Sequence, residues 1–227
     1  MRGIAISDIH GCLKTFRALV EEKVQLMRDD TLYLLGDYID RGPDSKGVID
    51  YIIELQSNGY QVKCLMGNHE EMFLDALEDL SKIDFFLRNG GKQTLESYGL
   101  TVGEMPFHSH FEFYKKLKYF IEIEDYILVH AGLNFRKSDP FLDTDSMIWI
   151  RDWYKRMDKT YLNGRIIVHG HTPQSVKSIK KLHKNMVINQ YMNIDAGCFR
   201  YNVMCALDLT NRELHFQDSL DKVSFHY

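Results

Sequence analysis

The chain has 227 residues, enough for one sizeable core, and its 44% hydrophobic and 26% charged content is that of an ordinary soluble globular protein. Its formal charge of -4 lacks the basic footprint of a nucleic-acid-bound protein, and no stretch approaches the roughly 20 apolar residues that span a bilayer. Cys12, Cys64, Cys198 and Cys205 are scattered with no Cys-x-x-Cys pair. With the first strand beginning at the N-terminus, they read as reduced thiols of a cytoplasmic protein, not as a disulfide or zinc framework.

Arg2 to Ser7 is a short apolar run that ends at Asp8 and reads as a strand. Leu13, Phe16, Leu19, Val20 and Val24 recur at helical spacing, which predicts an amphipathic helix from 13 to about 27. A second strand, 31–35, stops at Gly36. Pro43 falls where the first turn of a helix tolerates proline; Val48, Ile49, Ile52, Ile53 and Leu55 supply a buried stripe, and Asn58-Gly59 stops it. A third strand, 60–65, ends at Gly67. This alternation predicts a mainly parallel sheet covered by helices.

From 70 to 118 the chain reads as helical and more polar, with Asn89-Gly90-Gly91 as a turn. Strands are then expected at 119–123, 126–130, 165–169, 186–194 and 203–209, and a helix at 147–156. No repeat or linker interrupts the text, so a single domain over 1–227 is expected.

Five short loops carry metal-type ligands, each after a strand-like run: Ser7-Asp8-Ile9-His10-Gly11, Gly36-Asp37-Tyr38-Ile39-Asp40-Arg41-Gly42, Gly67-Asn68-His69-Glu70, His130-Ala131-Gly132 and His169-Gly170-His171-Thr172. In α/β sheets chemistry gathers beyond the carboxyl ends of strands, where these loops fall. Asp8, His10, Asp37, Asn68, His130 and His171 offer oxygen and imidazole ligands without a thiolate, which suits Mn, Fe or Zn. Six ligands exceed one tetrahedral ion and suit two ions sharing a carboxylate. Two such ions, roughly 3.5–4 Å apart, can clamp a phosphoryl group for in-line attack.

These loops resemble the phosphoprotein phosphatase family of binuclear metallophosphoesterases, in particular its small bacterial and phage branch of serine/threonine phosphatases and dinucleoside tetraphosphatases. All five hallmark motifs occur in order, with Ser7 replacing a glycine, and the likeness runs from residue 4 to about 209. Asn89-Gly90-Gly91 with Thr94, Ser97-Tyr98 and Trp149-Ile150-Arg151 fit the bacterial branch. The resemblance implies a calcineurin-like four-layer α/β/β/α sandwich, with two mixed β-sheets flanked by helices. It implies a first metal on Asp8, His10 and Asp37, and a second, bridged by Asp37, on Asn68, His130 and His171. Manganese is the first expectation for both ions, iron or zinc the alternatives. Arg41, Arg151 and Asn68 would hold the substrate phosphate, His69 would be the general acid, and Asp40 would orient it.

The activity so implied is metal-dependent phosphomonoester hydrolysis by a metal-bridging hydroxide, with serine/threonine protein phosphatase as the first expectation. Symmetrical cleavage of dinucleoside tetraphosphates, or removal of nucleotide caps from RNA 5′ ends, is the alternative. The expected partner is a phosphoprotein or small phosphorylated substrate, with no membrane and no stable nucleic-acid binding. A binding module with a dead centre would normally have lost a ligand, Arg41 or the Asp40–His69 pair, and none is missing.

One departure stands late in the chain. Where small members carry a glycine pair, this sequence has Tyr201-Asn202, after Asp195-Ala196-Gly197-Cys198-Phe199-Arg200. Three further features read as ordinary structure: His169 as a strand end, His108 and His110 as surface residues, and the basic stretch Lys177, Lys180, Lys181, His183 and Lys184 as a solvated hairpin.

Overall fold

The computed structural model describes residues 1–104 and 106–221; the expected domain is thus followed as far as Asp221. Nine strands form two sheets. The first has the order β3-β2-β1-β8-β9, built from Gln61–Cys64, Thr31–Leu34, Gly3–Ile6, Val203–Asp208 and Glu213–Asp218. The second has the order β4-β5-β6-β7, built from Phe120–Ile123, Tyr126–Val129, Ile166–His169 and Tyr191–Asn193. β1, β2 and β3 run parallel, as do β5, β6 and β7; β8, β9 and β4 add antiparallel pairings, so both sheets are mixed.

Side-chain alternation explains the layers. Along β1 and β2, Ile4, Ile6, Leu32 and Leu34 face one way and pack under the helices Leu13–Ala18 (α1), Ser45–Ser57 (α2) and Asn68–Glu78 (α3). Ala5 and Tyr33 face the other way and meet Leu128, Val168 and Met192 of the second sheet. On that sheet's far side Ile127, Val129 and Ile167 pack with Met147, Trp153 and Leu162. Three apolar interfaces separate four layers, as the resemblance implied. Each fully buried Ile or Leu contributes about 1.5–3 kcal/mol.

The first half follows the expected pattern with shifted ends. The first helix closes in a π turn, Leu19–Val24, and stops at Gln25, which is left-handed at φ 51. Pro43 lies just ahead of the second helix, whose cap is Asp44: its carboxylate accepts the Gly47 N–H at 2.8 Å.

The second half corrects several expectations. The segment 186–194 is a helical turn, Met186–Asn189, a left-handed Gln190, and only then β7. Its β-branched Val187 and Ile188 are exposed, so they do not supply the buried face of a strand. The basic stretch is a helix, Val176–His183, capped by Ser175; Ile179 and Leu182 bury one side and the lysines hydrate the other. The helix expected at 147–156 is Thr144–Trp149, an extended Ile150, a left-handed Asp152 and a tight turn, Trp153–Arg156. This break lets Trp153 dive inward, where its indole N–H donates to the Ala131 carbonyl at 2.8 Å. His110 is buried, not superficial: the helix His108–Lys115 turns it against Tyr98 and Asp50. β9 had no counterpart in the sequence reading.

Candidate metal centre

All five ligand loops leave the carboxyl ends of parallel strands or open the helices that follow, and they converge on one edge of the sandwich. Turning a side chain back over a strand end requires a sharp local bend. Of the twelve non-glycine residues with positive φ among the described residues, six are Asp8, His10, Asp37, Asp40, Arg41 and His171. Such conformations cost of order 1–3 kcal/mol each and persist where the surroundings overdetermine them. Gly170 permits a close approach, since a Cβ there would collide with the Asp8 carboxylate and the Ser7 hydroxyl.

Two donor clusters share Asp37. In the first, Asp37 Oδ2 lies 3.4 Å from His10 Nε2 and 3.9 Å from His69 Nε2. In the second, Asp37 Oδ1 lies 3.5 Å from His130 Nε2; His130 Nε2 is 3.3 Å from His171 Nδ1, and Asn68 Oδ1 lies 3.1 and 2.9 Å from those two nitrogens. Donors placed tetrahedrally around one ion at bonds of about 2.0–2.1 Å stand about 3.3 Å apart, close to these spacings.

The protons fix the direction of the lone pairs. His10 Nδ1 faces the Ile39 carbonyl at 2.9 Å and His130 Nδ1 faces the Leu35 carbonyl at 2.8 Å. A carbonyl only accepts, so Nδ1 carries the proton and Nε2 turns its lone pair into the site, the arrangement seen where imidazoles bind metal. Burial, with the Arg41 charge second, holds His10 well below the usual imidazole range. His171 is depressed to about 2, again by burial first. Both are neutral, the state a cation needs. Burial, then the Asp8 charge, pushes Asp37 well up, and the same two causes raise Asp195, whose Oδ2 is buried without a partner. Crowded acceptors and buried carboxylates that Arg41 and Arg151 only partly offset fit divalent cations at these two clusters.

The six expected ligands are all buried at this edge, though not equally placed. Asp37, Asn68, His130 and His171 converge as expected. His10 joins Asp37, with His69 as the third member of that cluster. Asp8 stands beside them, its carboxylate accepting the His171 N–H at 3.0 and 3.2 Å. Arg41 donates to His10 Nε2 at 2.7 Å, and its guanidinium lies 4.7 Å from the centre of the Phe199 ring. Arg151 sits at the other flank, donating to Thr172 Oγ1 at 2.7 Å. His169 ends β6 beneath the Trp153 ring, as read.

His69 and Asp40 pair through Nδ1 and Oδ2 at 2.6 Å. Burial drives them in opposite senses, Asp40 well up and His69 well down.

Three supporting residues were not assigned roles from sequence. Thr94 donates to Asp40 Oδ1 at 2.5 Å, and the Asp40 N–H reaches Thr94 Oγ1 at 2.9 Å and Ser45 Oγ at 3.0 Å. Glu70 accepts the N–H groups of Asp37 and Tyr38 at 2.8 Å each and of Gly67 at 3.1 Å, tying the second loop to the third. Burial, then Asp37, pushes Glu70 to about 7. The signal for Glu70 was its spacing: it stands three residues after the N-cap Gly67, where an acid reaches back to the cap.

The family model of the calcineurin-like phosphoesterases matches residues 1–203. A symmetrical bis(5'-nucleosyl)-tetraphosphatase of Buchnera aphidicola is 42% identical over 65 residues, 29% of this chain and 23% of the relative. The chain therefore matches under a quarter of that relative's length. Among solved structures, one described as a putative diadenosine tetraphosphatase superposes with a TM-score of 0.62 at 19% identity, covering 95% of this chain and 92% of the other. A serine/threonine phosphatase of Saccharomyces cerevisiae gives 0.58 at 14% identity, covering 100% and 81%. At such identities the structural likeness is one of fold. Because the family match spans nearly the whole chain, including every loop around Asp37, this protein belongs to the calcineurin-like phosphoesterases.

Proposed function

We propose that the chain is a two-metal hydrolase of phosphate linkages and that its substrate is a dinucleoside tetraphosphate cut near the middle. The observation that carries the reaction class is the sharing of Asp37 between two groups of donor atoms, His10 on one side and Asn68, His130 and His171 on the other. Asp8, His10 and Asp37 would hold one divalent ion, and Asp37, Asn68, His130 and His171 the other. A pair of ions there supplies Lewis-acid charge for the phosphoryl oxygens and makes water nucleophilic near neutral pH.

The chain's own groups do the rest. Arg41 stands beside the first cluster and Arg151 beside the second, so a guanidinium is available on either side of the reacting phosphorus. A phosphate chain attacked in its interior carries phosphates on both sides, and planar forks match their oxygens. The tetraphosphate relative supports the same substrate class. His69 presents Nε2 to the site while Nδ1 is held by Asp40. The buried pair would share the proton that Nε2 gives to the departing oxygen, with Asp40 holding Nδ1 in place.

A second reading, hydrolysis of phosphoserine and phosphothreonine, is favoured by this same pair. A serine or threonine alkoxide needs that proton more than a nucleoside diphosphate does. The test is a parallel assay of manganese-loaded protein with diadenosine tetraphosphate and a phosphoserine peptide. The proposal expects the higher kcat/KM for the tetraphosphate, with two nucleoside diphosphates as products. A higher value for the peptide would put the second reading in its place, and inertness towards both would end both.

A further inference from the structure

Next to the metal edge lies a cavity of about 480 Å³, of whose lining the reaction above uses only Arg151. Its wall comes from the break in the helix expected at 147–156. Ile150 is extended and Asp152 left-handed at φ 56, so Arg151 turns toward the His171 loop while Lys155 and Arg156 follow on the tight turn behind it. Buried Trp153 pins that turn to the sheet. Arg136 closes the opposite side, from the loop after His130.

Charge is what sets this cavity apart. Arg136, Arg151, Lys155 and Arg156 line it against one acid, Asp152. Asp152 is already paired with Lys155 at 3.1 Å. The nearby Asp143 is occupied by Asn134 and Ser146, each at 2.9 Å. Among the described residues, no ion pair involves Arg136, Arg151 or Arg156. Three arginines without an ion pair and one lysine in the lining give the concavity a positive balance that favours an anion.

Position says which anion. Arg151 belongs to both places: its Nη1 lies 3.5 Å from the His171 carbonyl and 2.7 Å from Thr172 Oγ1, and it also lines the cavity. A substrate whose reacting phosphorus sits at Asp37 would pass its next phosphates over Arg151 and into this basin. A phosphoserine has none to send. We infer that the cavity formed by Arg136, Arg151, Lys155 and Arg156 is a subsite for the distal phosphates of a polyphosphate chain. The inference deepens the tetraphosphate reading and rests on it for its substrate.

The test uses manganese-loaded full chain and the double variant Arg136→Gln/Arg156→Gln, neither residue having a part in the chemistry. Inorganic tripolyphosphate is the probe, as an inhibitor of para-nitrophenyl phosphate hydrolysis, with orthophosphate as control. The expected result is a Ki for tripolyphosphate raised on the order of tenfold, about 1.4 kcal/mol, with orthophosphate inhibition and para-nitrophenyl phosphate turnover unchanged. KM for diadenosine tetraphosphate should rise in parallel, and Arg136→Lys/Arg156→Lys should restore part of the loss. Unchanged tripolyphosphate inhibition and unchanged tetraphosphate KM, in a variant that still turns over para-nitrophenyl phosphate, would overturn the subsite and leave the tetraphosphate reading intact. Conversely, a protein inert to tetraphosphate whose tripolyphosphate inhibition still weakens in the variant would keep the subsite and lose that substrate.

Discussion

Two buried histidine networks, one around His110 and one around Asp37, differ in their protons. Around His110 every donor finds an acceptor: Nε2–H gives to Asp50 at 3.0 Å, Tyr98 O–H gives to Nδ1 at 2.8 Å, and Tyr114 O–H gives to Tyr98 at 3.0 Å. Around Asp37 acceptors face acceptors. His130 Nε2, Asn68 Oδ1, Asp37 Oδ1 and His171 Nδ1 crowd together, and neutral His171 can bring at most one proton to them. A buried polar group left unmatched costs about 1–3 kcal/mol, more when charged. The first network is complete as protein; the second leaves acceptors that cations would complete. Burial alone does not separate structural from chemical histidines, but the proton count does.

The sharpest way to break this contrast is Asp37→Asn. It removes the charge that both clusters share and several kcal/mol of charge stabilisation, so kcat should fall about 10³-fold. Metal content by elemental analysis should drop below two ions per chain at the same time. An Asp37→Asn protein retaining both ions and near-normal turnover would refute the shared-carboxylate geometry. Next in size is His69→Asn, which leaves the metal clusters largely in place and deletes the proton donor. General acid catalysis is worth about 10²–10⁴-fold, so that loss is expected on an alkyl phosphate. The loss should be much smaller on para-nitrophenyl phosphate, whose leaving group departs unaided. Equal losses on the two substrates would count against the acid role.

Legibility followed the same division between local and distant causes. The first three strands and their loops could be read directly, because each apolar run ends beside a proposed ligand, after Ser7 in the first and after a glycine in the other two. The segment 186–194 could not, because Val187 and Ile188 are β-branched yet face solvent. In 176–183 the lysines concealed the Ile179 and Leu182 stripe that makes the segment a helix. β9 is a half-buried edge strand, and its alternating Leu214 and Phe216 were too few to stand out. Arg151 and the proposed ligands stand in short motifs that the sequence shows directly. The support of Asp40 was not, because Thr94 lies 54 residues away in sequence and only the fold brings it near.

That support gives a third prediction, intermediate in size. Thr94→Val keeps volume and removes the hydroxyl that donates to Asp40 and accepts its N–H. Groups that orient catalytic or ligating side chains typically matter by about 10–100-fold, so kcat should fall near the lower end of that range. Thr94→Ser should recover most of it. Both variants should retain two metal ions, because Thr94 touches no proposed ligand. A Thr94→Val protein that loses metal as readily as Asp37→Asn would place Thr94 with the ligands and blur the contrast.

The smallest expected effect lies in the completed network and tests it from the other side. Burial lowers His110 below its ordinary value, with Asp50 opposing. In the unfolded chain that imidazole titrates near 6.5. Below that pH the unfolded state takes up the proton first, so His110 lowers stability progressively until the pH passes its own depressed value. Above 6.5 both states are neutral there and the contribution is constant. Glutamine at this position cannot titrate. His110→Gln should therefore be measurably flatter than the parent in urea unfolding between pH 7.5 and pH 5.5, both in chelator. Metal-loaded turnover at pH 7.5 should stay within about twofold, since sites without shared partners couple by only about 0.3–0.5 kcal/mol. A variant whose slope is steeper than the parent's would mean that His110 holds its proton in the fold; its network would then be an ion pair, and the rule separating it from the Asp37 edge would fail.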